Sequence, residues 1–431
     1  MGGVDLSTAL AQNAPKVHAL GLDSVLQLMI KLLGDGSRAH ELEGRHTSTA
    51  MGQILACLAT CTAGSTALGL RARAGQGVGL LAKRRDMGSV RAAHELLAGV
   101  FTNKKCPAPL RAALARAYRA LLWDLARSVP EQQLVSYASY VLMLASPASL
   151  SGTTAATVGG GGRWVGAVME DGRQVCACVA TAMSGLIERL SESGKTLLVQ
   201  VLLGEVAKRK MALLPPRAGG SGSAPVDLRE AVPVTCALQA LTTLYTDIGG
   251  CAPGRETWDL IASLACAPWT ATRVAAAQCL ASIGTKAPQY LLPSVQRSVE
   301  VLLTEASLAN GYLAATLLQG TCLSVVTMTM TARIHSHGVP CVVLDSLMSV
   351  AKMMLKESAR GSSDDGAEAE SHMLESRLEG GWMLICVCLR AGAEWVAGYL
   401  PVILQVCFFF LSEIGLFCHM IGFFCHAIGL F

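Results

Sequence analysis

The stretch Ala271-Thr-Arg-Val-Ala-Ala-Ala-Gln-Cys-Leu-Ala-Ser-Ile283 decides the fold of this chain. Its apolar residues recur at spacings of three and four, which is the period of an α-helix with a packed face. An arginine stands near the helix start, and small residues on the packed face let a neighbouring helix approach closely. These features are typical of the inner helix of a HEAT repeat, a two-helix unit that stacks on copies of itself.

Similar helices recur along the chain at a nearly constant interval. The helix predicted at Arg255–Cys266 precedes the quoted stretch, and Pro268 supplies the turn between the two. Second helices of such pairs are predicted to begin near residues 231, 272 and 311, so the steps are 41 and 39 residues. HEAT and armadillo units repeat every ~40–47 residues. The sequence therefore predicts an all-α fold, a HEAT/armadillo-like α-solenoid in which about seven antiparallel helix pairs stack into a superhelix.

Composition favours this class and excludes others. Of the 431 residues, 52% are hydrophobic, 15% are charged and 5% are aromatic. A disordered chain needs the opposite balance, and a β-sandwich needs more aromatic and β-branched residues. The net charge of +4 is too small to identify a nucleic-acid-binding protein by itself. We expect no nucleic-acid partner.

The 16 cysteines are too sparse for a disulfide scaffold. Met1–Gln12 has neither the basic start nor the apolar core of a secretory signal. We therefore expect a cytosolic protein in which most cysteines are reduced, buried small residues of apolar helices. The cysteines that support this interpretation are Cys57, Cys61, Cys236, Cys279 and Cys322.

Breaks rich in glycine, proline and serine divide the helix pairs into groups, and we interpret these breaks as loops between helices. The predicted organisation is residues 1–150 with N-terminal HEAT-like pairs, 151–226 with a helix pair flanked by Gly/Pro-rich loops, 227–411 with the best-defined repeats and an acidic loop at 357–370, and 412–431 with an apolar low-complexity tail.

The tail 412–431 contains a seven-residue repeat, Ile414-Gly-Leu-Phe-Cys-His-Met followed by Ile421-Gly-Phe-Phe-Cys-His-Ala. Three interpretations are open. An in-frame nucleotide repeat in non-coding sequence would encode the same amino-acid repeat, and the tail would then be an artefactual extension. The apolar tail is also long enough for a membrane segment, which needs ~20 apolar residues. A paired Cys/His metal-binding tract is the third interpretation.

Two motifs suggest chemistry, and each has a simpler interpretation. Ser191–Thr196 ends like a phosphate-binding loop, but Arg189 stands where that loop requires its first glycine. His335, His337 and Cys341 are zinc-binding residue types, yet a fourth ligand at a recognisable spacing is missing. A turn between helices explains the first motif as well, and a loop with two solvated histidines explains the second. Without a nucleophile elbow or a paired-carboxylate motif, the sequence predicts no enzyme, no cofactor and no small-molecule substrate.

Residues 71–127 form a basic stretch with 12 Lys and Arg against three carboxylates, a local net charge of +9. The positive potential of such a stretch can attract the phosphates of a membrane surface or an acidic partner. Lys83, Arg84 and Arg85 are the candidate contacts for an anionic partner, including peripheral contact with an anionic membrane. The alternative is a solvated helix face with a basic loop.

Four segments, in one order along the chain, resemble a known family. They are Val234–Leu244, Arg273–Leu280, Gly311–Gly320 and Ser376–Leu384. Together they resemble the N-terminal portion of the HEAT-repeat-containing protein 5 family, most specifically over residues 230–405. Members of that family are very large solenoids, so we expect this chain to correspond to a truncated form.

The resemblance implies a function and a set of structural positions. It implies a non-enzymatic scaffold in adaptor- and clathrin-dependent membrane traffic, which covers endocytosis, endosome-to-Golgi retrograde transport and protein localisation. The implied partners are the clathrin-adaptor complex and its accessory proteins, at the trans-Golgi network, endosomes and endocytic vesicles. Gly311, Tyr312 and Trp382 are the implied repeat positions, and we expect Arg273 to cap its helix or to bridge neighbouring repeats. The alternative is a HEAT solenoid with another cargo, such as a nuclear transport receptor-like or nucleic-acid-associated scaffold.

Overall fold

The structure is a computed structural model, and every regular element within its described residues is a helix. It describes residues 130–143, 145, 162–213, 228–248, 253–305, 312–334, 338–360 and 368–391, with the single residues Ala115, Arg119, Leu122, Gly398, Tyr399 and Pro401. The α-helices in these ranges are α1 (Glu131–Met143), α2 (Gly162–Ile187), α3 (Glu192–Leu213), α4 (Leu228–Asp247), α5 (Arg255–Leu264), α6 (Thr270–Lys286), α7 (Leu291–Glu305), α8 (Tyr312–Ile334), α9 (Cys341–Arg360) and α10 (Glu368–Ala391).

In the first compact unit, Met1–Ile283, the described helices form two layers. Helix α1 packs on α3 and α3 packs on α5 in one layer, whereas α2 packs on α4 in the other. Consecutive helices pair across the layers, α1 with α2 and α3 with α4. Helix α6 extends the second layer, because its Thr272 hydroxyl lies 2.8 Å from the Thr235 hydroxyl of α4. Stacked antiparallel pairs produce this pattern.

The second compact unit, Gly284–Phe431, repeats the arrangement. A short 3-10 helix, Pro288–Tyr290, leads into α7. Helix α7 pairs with α8 and α9 pairs with α10, while α7 also packs on α9 and α8 on α10. The predicted all-α, HEAT/armadillo-like solenoid is therefore confirmed within the described part of the chain.

The spacing of the second helices is more regular than the sequence predicts. Helices α4, α6 and α8 begin at Leu228, Thr270 and Tyr312, so both steps are 42 residues. Five helix pairs lie within the described ranges, and the predicted pairs near the N-terminus lie outside them. Along the chain, the division between the two compact units falls after Ile283. The predicted group boundaries at residues 150, 226 and 411 stay predictions.

Small residues explain how closely the helices pack. In α10, a Cβ added to Gly380 would lie 2.8 Å from the Cys322 sulfur of α8, and one added to Gly381 would lie 2.8 Å from Cγ of Leu355 on α9. Real Cβ atoms do not approach other heavy atoms this closely. The glycine pair therefore lets one helix contact two neighbours at once.

Within the described ranges, no helix combines the length and the apolar character that crossing a bilayer requires. The tail 412–431, for which a membrane segment is one interpretation, lies outside these ranges.

Candidate partner-binding surface

Arg273 braces the turn that joins α5 to α6. It lies in the first turn of α6 and is only 6% exposed. Its guanidinium donates hydrogen bonds to the carbonyl oxygens of Ala267 at 3.0 Å and Pro268 at 2.7 Å, and to the Thr270 hydroxyl at 2.9 Å. Hydrogen bonds from an ionised donor are stronger than neutral ones. Arg273 therefore fixes the angle between the two helices of its own pair.

The other sequence-predicted positions are distributed along the chain. Tyr312 begins α8, and Trp382 is half-buried on α10. Lys83, Arg84, Arg85 and Gly311 lie outside the described residues. The basic stretch 71–127 therefore stays a prediction apart from Arg119, whose guanidinium lies 2.7 Å from the Glu188 carboxylate.

The phosphate-loop-like segment Ser191–Thr196 forms the turn into α3, and a carboxylate from α1 caps it. Glu131 accepts hydrogen bonds from the backbone N–H of Ser191 at 2.8 Å and from its hydroxyl at 2.7 Å. These bonds, chiefly the one from the hydroxyl, lower the pKa of the Glu131 carboxyl. A Cβ on Gly194 would lie 2.9 Å from a Glu131 oxygen, so the glycine makes room for the cap.

This cap also explains why the motif is not a phosphate site. The N-terminal end of a helix attracts an anion because its backbone N–H groups and dipole are positive. In α3, the carboxylate of Glu131 already takes that place. Glu131 stands 60 residues before Ser191, so no local pattern in the sequence points to it.

The described residues contain no group of three or more His, Cys, Asp and Glu side chains placed to hold a metal ion. Cys341 is exposed at the start of α9. His335 and His337 lie outside the described ranges, so the zinc interpretation of this motif stays a prediction.

The cysteines of the described helices form no disulfide, and most are buried. Cys236, Cys279 and Cys322 are each no more than 1% exposed, as the sequence predicts for small core residues. Burial raises the pKa of the Cys279 thiol to about 12 and that of Cys388 to about 12. Such thiols stay protonated at neutral pH and are poor nucleophiles. They contribute packing rather than chemistry.

Helices α8 and α10 each leave several side chains half-exposed or exposed, and we call these side chains together the α8–α10 surface. Its polar end is a hydrogen bond of 2.9 Å from the Gln319 amide to the Glu379 carboxylate, which joins the two helices. Along each helix, further half-exposed or exposed side chains follow at helical spacing. The α8–α10 surface consists of Gln319, Leu323 and Met330 of α8 and Glu379, Trp382 and Leu389 of α10.

Four apolar residues recur at helical spacing along α10 and would form one stripe, but their exposure to solvent differs. They are Leu378, Trp382, Ile385 and Leu389. Ile385 is buried at 2%, whereas Leu389 is 39% exposed, and Leu378 and Trp382 are half-buried. Only part of the stripe is therefore covered by packing within the unit. Tryptophan, methionine and leucine side chains that remain half-exposed beside a polar pair are typical of protein-binding surfaces, where Trp is enriched among the residues that dominate affinity.

No protein-family model matches the chain, and no curated protein matches it. Among solved structures, the chain is similar to the crystal structure of Kap121p, with a TM-score of 0.30 and 13% identity over 94% of this chain and 45% of that chain. It is also similar to Kap121p bound to Ste12p, with a TM-score of 0.29 and 12% identity over 95% of this chain and 45% of that one. The chain thus spans less than half the length of these structures.

Proposed function

We propose that this chain is a non-enzymatic HEAT-repeat scaffold in adaptor- and clathrin-dependent membrane traffic, with the α8–α10 surface as a protein-binding surface. Its proposed partners are the clathrin-adaptor complex and accessory proteins. Its proposed location is cytoplasmic and peripheral, at the trans-Golgi network, endosomes and endocytic vesicles. The proposed role covers endocytosis, endosome-to-Golgi retrieval and the localisation of cargo proteins.

One observation supports the binding role above the others. Two helices of neighbouring pairs leave Leu323, Trp382 and Leu389 half-exposed or exposed instead of burying them in the unit. The glycine at position 380 brings α8 and α10 into direct contact. Binding energy at such surfaces comes from a few apolar anchors surrounded by polar groups. The choice of adaptor proteins as partners rests on the resemblance over residues 230–405.

Proximity labelling in cells tests this function. The chain would carry a promiscuous biotin ligase, and labelled proteins would be compared between the wild type and Leu389→Asp. Leu389 is already 39% exposed, so the substitution changes the surface more than the fold. We expect wild-type labelling of clathrin-adaptor subunits and loss of that labelling in the variant.

A matched control is Val342→Asp on α9, a residue that is 74% exposed and is not a member of the α8–α10 surface. It should label adaptor subunits as the wild type does. Labelling of nuclear-pore or nucleic-acid-binding proteins without adaptor subunits would instead support the alternative cargo class and contradict the traffic role.

A further inference from the structure

The solvent-facing side of α10 changes from acidic to apolar to basic along the helix. Six of its side chains are half-exposed or exposed, and they recur at spacings of three and four residues, which places them on one side of the helix. Leu384, Ile385 and Cys388, which stand between them in the sequence, are buried. We call the six residues the α10 face, and they are Glu379, Trp382, Met383, Cys386, Leu389 and Arg390.

The apolar part of the α10 face is longer than the exposed apolar sites on other helices. Leu303 on α7 lies one turn from the exposed Glu300, and Val342 on α9 lies one turn from Ser346. On α10, four apolar side chains of the face follow one another over two turns, and no charged residue stands among them. A surface helix normally turns charged and polar residues to water. The α10 face therefore has the character of a contact surface.

The chain that follows α10 contacts α9. Tyr399 stands eight residues after the end of α10, and its hydroxyl donates a hydrogen bond of 2.7 Å to the Asp345 carboxylate of α9. The Lys352 ammonium, also on α9, lies 5.2 Å from the centre of the Tyr399 ring. The side chains of the α10 face keep their partial exposure with Tyr399 in this place.

The order of residues along the α10 face is self-complementary. Glu379 stands 11 residues before Arg390, and Trp382 stands seven residues before Leu389. The midpoints of these two pairs are one residue apart, next to Cys386. If a second α10 lies antiparallel across this point, each Glu379 faces Arg390 of the second copy, and each Trp382 faces its Leu389. Contact about a two-fold axis requires a patch that matches itself in this way.

We propose that the α10 face binds a second copy of this chain, with the two α10 helices antiparallel. Trp382 and Leu389 would supply the apolar centre, where a few large side chains dominate affinity. Glu379 and Arg390 would pair at both rims and fix the antiparallel register. Glu379 also accepts the bond from Gln319 at 2.9 Å, and a carboxylate can accept several hydrogen bonds at once. The inference goes beyond the proposed function, because it needs no adaptor protein. An adaptor that binds Trp382 and Leu389 would compete with the second copy.

Sedimentation velocity of the purified full chain tests the inference. We expect a monomer–dimer equilibrium that added salt weakens. Glu379→Arg and Arg390→Glu each place like charges opposite one another at both rims, so each should raise the dissociation constant of the dimer about ten-fold. An equimolar mixture of the two variants should restore the dimer, because each copy then meets the opposite charge. Glu300→Arg, a charge reversal at an exposed position of α7, is the matched control and should dimerise as the wild type does.

Crosslinking tests which residues lie at the two-fold axis. A short bis-maleimide should join the Cys386 thiols of two copies, and mass spectrometry should identify this pair of peptides. Cys386→Ser should remove the crosslink, whereas Cys341→Ser, at the exposed thiol of α9, should keep it. A chain that stays monomeric at every concentration, or a mixture of the two charge variants that does not dimerise better than either alone, would overturn the inference. Because the assay contains only this chain, its failure would leave the adaptor partnership standing, and absence of adaptor labelling from the wild type would leave the dimer standing.

Discussion

The hydroxyl of Thr235 on α4 and the hydroxyl of Thr272 on α6 form a hydrogen bond of 2.8 Å, and neither residue is exposed to solvent. Thr235 donates its own proton to the Ala231 carbonyl at 2.8 Å. Thr272 must therefore donate to Thr235. This buried pair joins two neighbouring helix pairs of the first unit.

Replacing only one of the two threonines should be costly. Thr235→Val removes the acceptor for the Thr272 hydroxyl and leaves a buried donor unsatisfied, which costs about 1–3 kcal/mol in the free energy of unfolding. The double variant with valine at both positions should lose less than the sum of the single losses, because valine has a similar shape and leaves neither partner behind. Urea unfolding of the two single variants and the double variant measures this coupling. Additive losses would show that the two hydroxyls do not depend on each other.

Replacing glycine by alanine should have opposite effects on the free energy of unfolding at two helix positions. Gly204 in α3 has open space around it, so Gly204→Ala should raise the free energy of unfolding by about 0.5–1 kcal/mol through helix propensity alone. In α2, a Cβ on Gly185 would clash with the backbone carbonyl oxygen of Arg119. Gly185→Ala should therefore destabilise the chain despite the better helix former. Thermal melts of the two variants would disprove the packing argument if both shifted in the same direction.

The stability that Arg273 contributes should depend on the planar shape of its guanidinium group as well as on its charge. Arg273→Met removes donors to two backbone carbonyls and one hydroxyl, and should lower the free energy of unfolding by about 2–3 kcal/mol. Arg273→Lys keeps the charge but lacks the planar group that reaches several acceptors, so an intermediate loss is expected. Chemical denaturation compares the three chains. A lysine variant as stable as the wild type would mean that the charge alone matters.

The sequence predicts the helix pairs well because their signals are local. The helix predicted to begin near residue 272 is α6, Thr270–Lys286, and the helix predicted at Arg255–Cys266 is α5, Arg255–Leu264. Helical spacing and the turn residues around Pro268 lie within a few positions of the ends that they define.

The remaining features depend on contacts between distant parts of the chain. Spacing groups Leu378, Trp382, Ile385 and Leu389 into one stripe, but only the packed neighbours decide that Ile385 is buried and Leu389 is exposed. The exposed apolar residues of α3 have the same origin. Leu197 and Met211 read as ordinary apolar helix residues, and the arrangement of α1, α4 and α5 around α3 leaves them outside.

The cap that Glu131 forms on α3 should make stability depend on pH. The folded-state pKa of this carboxyl lies below its ordinary value of 4.5, mainly because the Ser191 hydroxyl donates to the charged form. A lowered pKa contributes stability that is fully present above the unfolded-state pKa and disappears as the pH falls through the folded-state pKa. Glu131→Gln should therefore lower the free energy of unfolding by about 1 kcal/mol at neutral pH, as the loss of a helix cap does. Urea unfolding of both chains should show that difference shrinking at pH values below 4.5. Glu192→Gln is the control, because its carboxylate lies in the first turn of the same helix without accepting the Ser191 bonds. A Glu131 difference that stays constant across this range would contradict an ionised cap.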